Sequence, residues 1–214
     1  MIIIDPDKWY RKKHYDFFKN MEFPYFNICL NMEITKLYNY CKNSGISVFL
    51  ATTFLIMKAV NKTEYLRMRI KNDKVLLFDI VHPGITVLGN DGLYNNCVLE
   101  FTQDFKAFTE YAKLTMEKSK LSDFNDDPQN QRDDLIYMTT LPWVNFTAIT
   151  HPVYLKNPDS VPRIACGKIT KTEDNFTMPF ALQAHHSLMD GYHASIVLND
   201  IQEYLNKIEI LGEK

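Results

Sequence analysis

Along the chain, apolar positions switch repeatedly between the spacing of a helix and that of a strand. From Asp7 to Asn20, Trp9, Tyr10, His14, Tyr15, Phe17 and Phe18 recur largely at three- and four-residue intervals, which predicts a short aromatic helix with Asp7 as candidate cap. Tyr25 to Glu33 roughly alternates apolar with polar, as a half-buried strand does, and Thr35 is placed to cap a helix through Cys41. Ser47 to Asn61 is dense in Phe, Leu, Ile, Met and Ala, which predicts a helix buried on most sides and capped at or near Ser47. Short apolar runs at 75–78, 85–88 and 97–99, split by His-Pro-Gly and Gly-Asn-Asp-Gly, predict antiparallel strands. A helix follows over Phe105 to Ser119, then a polar loop over Ser122 to Asp134. Strands are expected at Leu135–Thr140, Thr147–His151, Arg163–Ile169 and Phe176–His185, and a last helix from Tyr192 to Ile208.

This order implies a mixed α/β layer architecture around one central sheet. No break in composition marks a linker, so residues 1–214 are expected to form a single domain. Hydrophobic residues at 46% and charged residues at 23% allow a full core. The net charge of −2, with no long run of one sign, gives no electrostatic footprint for nucleic acid or anionic lipid. Met1 to Asp5 is too short a start for a signal peptide and no 18-residue apolar run occurs, so a soluble, cytoplasmic protein without membrane partners is expected. Cys29, Cys41, Cys97 and Cys166 lack the paired spacings of zinc or dithiol sites and read as free thiols.

Three of the six histidines, His185, His186 and His193, fall within nine residues around Asp190-Gly191. Metal binding is disfavoured because adjacent residues at a strand end point to opposite faces, so His185 and His186 do not readily share one ion. General base catalysis needs a single imidazole that titrates near neutrality, and His186, at a strand end before a loop, suits it. The competing reading is a hydrogen-bonded core histidine. Asp190-Gly191 is either a simple turn or the site of an Asp–Arg clamp that fixes this loop.

The stretch Gln183-Ala-His-His-Ser-Leu-Met-Asp-Gly-Tyr-His193 resembles the signature of chloramphenicol acetyltransferases. Its His-His-x-x-x-Asp-Gly core is shared with dihydrolipoamide acyltransferases and condensation-type enzymes. Leu141-Pro-Trp-Val-Asn-Phe146, Trp9-Tyr-Arg-Lys-Lys-His14 and Glu64-Tyr-Leu-Arg-Met-Arg-Ile70 resemble further segments of the same family, in its order. The resemblance, which spans about residues 8 to 206, implies an α+β two-layer fold with one mixed β-sheet flanked by helices. It also implies a homotrimer with active sites between subunits, acetyl-CoA as co-substrate, a small-molecule acceptor and no metal. By the same match His186 is the general base, Asp190 and Arg11 the ion pair behind it, and Thr139 the oxyanion partner in place of the usual Ser. Lys168 and Trp143 are expected to border CoA, and Phe17, Phe18 and Tyr25 the acceptor.

Some positions depart from the family pattern. Ala165 stands where a Thr is usual and Phe18 where a Tyr is usual, so two hydroxyls are lost, and Ile169 replaces an aromatic. Weak turnover of chloramphenicol is therefore expected, since a site that loses a polar partner discriminates against its former substrate. Trp9, Trp143, Phe17, Phe18, Tyr25 and Phe26 remain open between core packing and pocket lining. An acyltransferase for another hydroxyl, thiol or amine, and a catalytically silent ligand-binding trimer, are the alternatives.

Overall fold

The structure, a computed structural model, describes residues 1–121, 132–156 and 158–212. In chain order the strands are β1 (Ile2–Ile4), β2 (Tyr25–Glu33), β3 (Met68–Lys71), β4 (Lys74–Leu77), β5 (His82–Leu88), β6 (Tyr94–Val98), β7 (Leu135–Thr140), β8 (Arg163–Cys166), β9 (Thr170–Thr172) and β10 (Asn175–His185). The helices are α1 (Lys12–Phe18), α2 (Thr35–Ser44), α3 (Val48–Lys62), α4 (Phe105–Ser119) and α5 (Gly191–Asn206).

The main sheet runs β2-β10-β8-β7-β5-β6, with β9 paired to one end of β10. It is mixed, as expected: β5–β7 and β7–β8 are parallel, and the other pairs are antiparallel. One face packs on α2 to α5. Ile85, Ile136, Met138, Ile164, Phe180 and Leu182 from that face join Phe54, Leu55, Phe108, Val197 and Ile201 in a single buried cluster. Phe54 sits at the aromatic centre, with ring centroids 5.1 Å from Phe105 and 5.6 Å from Phe108. Period-2 alternation then sends Tyr137, Thr139, Arg163 and Ala165 to the opposite face. The core and these four side chains therefore lie on opposite sides of the same strands.

Caps explain the helix limits. The Ser47 side chain accepts from Leu50 N at 3.3 Å to start α3, and Asp104 accepts from Ala107 N at 2.6 Å to start α4. Gly45, at φ 65°, closes α2 in the left-handed conformation that favours glycine. Thr35 begins α2 but does not cap it; its Oγ1 accepts from Phe176 N and ties the helix to β10. Asp7 is likewise no cap, because Pro6–Lys8 forms a separate 3-10 turn whose cap is Asp5, and α1 starts only at Lys12.

Other expectations need correction. Thr147–His151 is not a strand: residues 141–156 and 158–162 are irregular chain, part of which lines the open sheet face without pairing to an edge, although Asn27 Nδ2 donates to Ile149 O at 3.1 Å. The strand expected over Arg163–Ile169 stops at Cys166, where Gly167 N turns to Pro179 O, and Thr170–Thr172 pairs with Asn175–Thr177. Lys74–Leu77 belongs to a second, three-stranded sheet, β1-β4-β3, whose outer members had no recognisable signal because three and four residues are too few for a period. Of the loop expected at Ser122–Asp134, residues 122–131 lie outside the described residues. All four cysteines are free.

Candidate active site

The end of β10 separates the two adjacent histidines. His185 is buried, its Nδ1 accepts from Ser187 N at 3.2 Å, and its ring meets the Tyr25 ring edge-on at 5.6 Å. Burial pushes its pKa down to about 4. His186 turns the other way: its ring stacks on Phe18 at 3.9 Å and 11° and meets Phe26 at 5.1 Å. Its Nδ1 is enclosed and has no hydrogen-bond partner among the described residues, which leaves Nε2 of this half-buried side chain as the nitrogen that faces outward. One histidine of the pair is thus packed and neutral, while the other keeps one ring nitrogen outside its packing.

The neutral state of His185 has a measurable consequence. Between its ordinary 6.5 and about 4, the unfolded chain takes up a proton that the folded chain refuses, so stability falls as pH drops through that window. The full difference is about 3 kcal/mol at 1.36 kcal/mol per pK unit. Urea unfolding at pH 7 and pH 4 should therefore show a smaller loss in His185→Gln than in the unaltered chain; equal losses would reject this role.

Asp190 occupies the start of α5 and has three partners. It caps the helix by accepting from Tyr192 N at 3.1 Å, takes a 2.8 Å hydrogen bond from Arg11 Nη1, and lies 2.7 Å from His193 Nδ1. Burial opposes ionisation of this carboxyl, but the bonds from Arg11 and His193 outweigh it and hold the group well below the usual carboxylate range. The pair with Arg11 uses one guanidinium nitrogen; Arg11 Nε and Nη2 are buried without partners among the described residues. His193, which sequence reasoning left without a role, completes this frame. The frame fastens the start of α1, whose last residue Phe18 covers His186, to the start of α5.

Two cavities border the end of β7. A cleft of about 1070 Å³ on the open face is lined by Thr139, Trp143, Leu88, Leu93, Tyr94 and His151, among others. A narrower slot of about 290 Å³ on the helix side lies between Val48, Phe49, Thr52 and Thr53 of α3 and Cys166 to Ile169. Thr140 lines both, so the two adjoin at the end of β7. Lys168 belongs to the slot and Trp143, 70% exposed, to the cleft. The Lys168 N to Val144 O bond at 2.8 Å holds their two segments together.

This architecture matches known proteins over its whole length. The sequence model of the family described as chloramphenicol acetyltransferase covers residues 1–202. The chain belongs to the chloramphenicol acetyltransferase family. It is 25% identical to a chloramphenicol acetyltransferase of Proteus mirabilis, over 97% of this chain and 95% of that protein. It is 28% identical to chloramphenicol acetyltransferase 3 of Escherichia coli, over 94% and 95% of the two chains. A solved chloramphenicol acetyltransferase superposes with a TM-score of 0.88 at 25% identity, covering 95% of this chain and 99% of that one. The cubic core of the pyruvate dehydrogenase complex shares the fold alone, with a TM-score of 0.65 at 15% identity, covering 94% of this chain and 88% of that one. The chain is accordingly a transferase of this kind.

The fold does not unite every expected site residue of this family member. Ala165 is the Cα partner of both Thr139 and Ala181, and His186 lies five residues beyond Ala181 on β10. At about 3.3 Å per residue and about 4.8 Å per strand, His186 and Thr139 of one chain are roughly 19 Å apart. Tyr25 is buried, with its hydroxyl donated to Asp159 O at 2.6 Å, whereas Phe17 is 66% exposed beside Phe18. Two cleft-side residues were missed in the sequence: Arg163, hidden in an apolar strand, and His151, in the segment expected to be a strand. No helix among the described residues is long and apolar enough to cross a membrane, and no group of three His, Cys, Asp or Glu among them is placed to hold a metal ion.

Proposed function

We propose that the protein transfers the acetyl group of acetyl-CoA to a hydroxyl of a small molecule, chloramphenicol being the acceptor named in its relatives, in a direct ternary-complex reaction in the cytoplasm. The observation that carries this reading is the arrangement of a slot and a cleft on opposite sides of Thr139–Thr140, which lets two substrates approach from opposite faces. The slot suits the CoA arm: its walls are apolar, the Thr52 hydroxyl is buried without a partner among the described residues, and Lys168 supplies an exposed cation for phosphate. Trp143, next to Val144, borders the same passage from the cleft side.

His186 Nε2 takes the acceptor proton as the hydroxyl oxygen attacks the thioester carbon. The new C–O bond forms, the C–S bond breaks, and the CoA sulfur leaves with a proton returned from the imidazolium. Thr139 donates its hydroxyl to the oxyanion that develops on the carbonyl oxygen. Thr139→Val is expected to lower kcat by about 10²-fold, the cost of one oxyanion donor; an unchanged kcat would remove Thr139 from the reaction.

In this reading His186 of one subunit meets Thr139 of a neighbour in a homotrimer with three intersubunit sites, and the separation of roughly 19 Å within one chain supports it. Exposed apolar side chains at Trp143, Val144, Tyr154 and Leu155 fit such contacts. Sedimentation should give three times the mass of the chain. The overall test is release of CoA thiol from acetyl-CoA on addition of chloramphenicol, with mass analysis of the product. Acceptor-independent hydrolysis, or no release with any alcohol, would overturn the reading.

A further inference from the structure

We propose that Arg163 is a positioning residue for the acceptor side of the reaction: its fork onto Asp159 fastens the irregular chain after β7 to the open sheet face, and so sets the wall of the cleft beside Thr139. The proposal rests on the acetyltransferase reading for what enters the cleft, whereas the fastening stands on geometry. Residues 141–156 and 158–162 belong to no strand, so no ladder holds them. They nevertheless supply Trp143, Ile149, Thr150, His151 and Pro152 to the cleft that Thr139 also lines. Near its start this chain is tied by Lys168 N to Val144 O at 2.8 Å, and further along by Asn27 Nδ2 to Ile149 O at 3.1 Å. Its far end is held by a charge.

Arg163 stands in the middle of the sheet, between Tyr137 of β7 and Gln183 of β10. Its Nη2 donates to Asp159 Oδ2 at 2.6 Å and its Nη1 to Oδ1 at 3.2 Å, and Nη1 also donates to Val161 O at 3.1 Å. This is the only ion pair that the chain over the sheet makes among the described residues. The guanidinium lies 5.8 Å from the Tyr25 ring centroid and 5.6 Å from that of Tyr137, and the residue is 7% exposed. The same turn is held from two other elements: the Tyr25 hydroxyl donates to Asp159 O at 2.6 Å, and Ile70 N of β3 donates to Ser160 Oγ at 2.7 Å. Two bonds from one planar group fix direction as well as distance, which the point charge of a lysine does not. The slot on the helix side is walled by α3 and Cys166 to Ile169, and of the irregular chain only Pro142 reaches it. Loosening the fork therefore disturbs one substrate's wall and spares the other's.

Removal of one partner alone would strand a buried charge and mix folding with positioning. The test therefore uses the full chain with Arg163→Met and Asp159→Asn combined, which removes both charges and keeps an oxygen at position 159 to accept from Val161 N. We expect kcat/KM for chloramphenicol to fall by about 10–10²-fold, mainly through KM, the scale of a wall displaced by about an ångström. KM for acetyl-CoA should hold nearly constant, and amide hydrogen exchange over residues 141–156 should quicken. Arg163→Lys, which keeps the charge without the fork, should fall between; it carries the same KM test if thermal unfolding shows that the double variant does not fold. Unchanged kcat/KM for chloramphenicol, or a rise in KM for both substrates together, overturns the proposal and leaves the transferase reading intact. If the unaltered chain acetylates no alcohol, the transferase reading fails and the fastening is judged by exchange and by calorimetry with chloramphenicol. Faster exchange with weaker binding in the double variant upholds it; unchanged exchange, or no binding to weaken, overturns it.

Discussion

Replacement of His186 by alanine is expected to lower kcat for acetyl transfer by about 10²–10⁴-fold, the range that a positioned general base supplies. The expectation follows from the placement of the ring. Phe18 and Phe26 fix its plane, Nδ1 is enclosed, and one nitrogen is left to take a proton. Because the base acts on a proton in flight and not on a bound ground state, KM for acetyl-CoA should move little while kcat collapses. His185→Gln offers the contrast one position away, since it removes a packed, neutral ring and should alter the pH dependence of stability before it alters kcat. Equal rates for the unaltered chain and His186→Ala would refute the assignment, and comparable losses at both positions would point to a general disturbance of the β10 end.

The second large effect is on stability. Asp190→Asn should destabilise the protein by about 3–5 kcal/mol, as when one member of a buried ion pair is removed, and lower Tm by on the order of 10 °C. The reason is asymmetric. Arg11 is 3% exposed and two of its nitrogens have no partner among the described residues, so loss of the Asp190 charge strands a buried cation. Arg11→Met removes that cation and leaves a carboxylate that is 26% exposed and still bonded to His193, so it should cost less than Asp190→Asn. Thermal unfolding of both variants orders the two costs; the reverse order would show that Arg11 finds other compensation. Asp190→Ala should be worse again by about 1 kcal/mol, because the amide of Asn can still cap α5 and alanine cannot.

Much of this was legible before the fold was known, for reasons that can be located. The buried helix α3 announced itself by an apolar run after a serine cap, because that signal is local. The His-His and Asp-Gly positions were legible because they stand at the fixed spacing of the family's signature. Thr147–His151 misled because alternation describes a side-chain pattern and not the presence of a neighbour to pair with. Ile2–Ile4 and Met68–Lys71 were silent because so few residues carry no period. Arg163 was invisible as a cleft residue because its strand reads as buried, and its partner Asp159 is recognised only when the irregular chain over the sheet brings it within 2.6 Å.

By itself, the sequence determined the mixed sheet with its helical layer, the family, and which residues are the candidates for its chemistry. These depend on residue type and short spacing, which the chain carries everywhere. Only the tertiary structure decided that His185 is a packed neutral ring and His186 the outward one, that His193 joins Arg11 on Asp190, and that Thr139 lies too far from His186 to serve the same site in one chain. Those outcomes depend on burial and on distances between strands remote in sequence, quantities that exist only once the sheet has assembled.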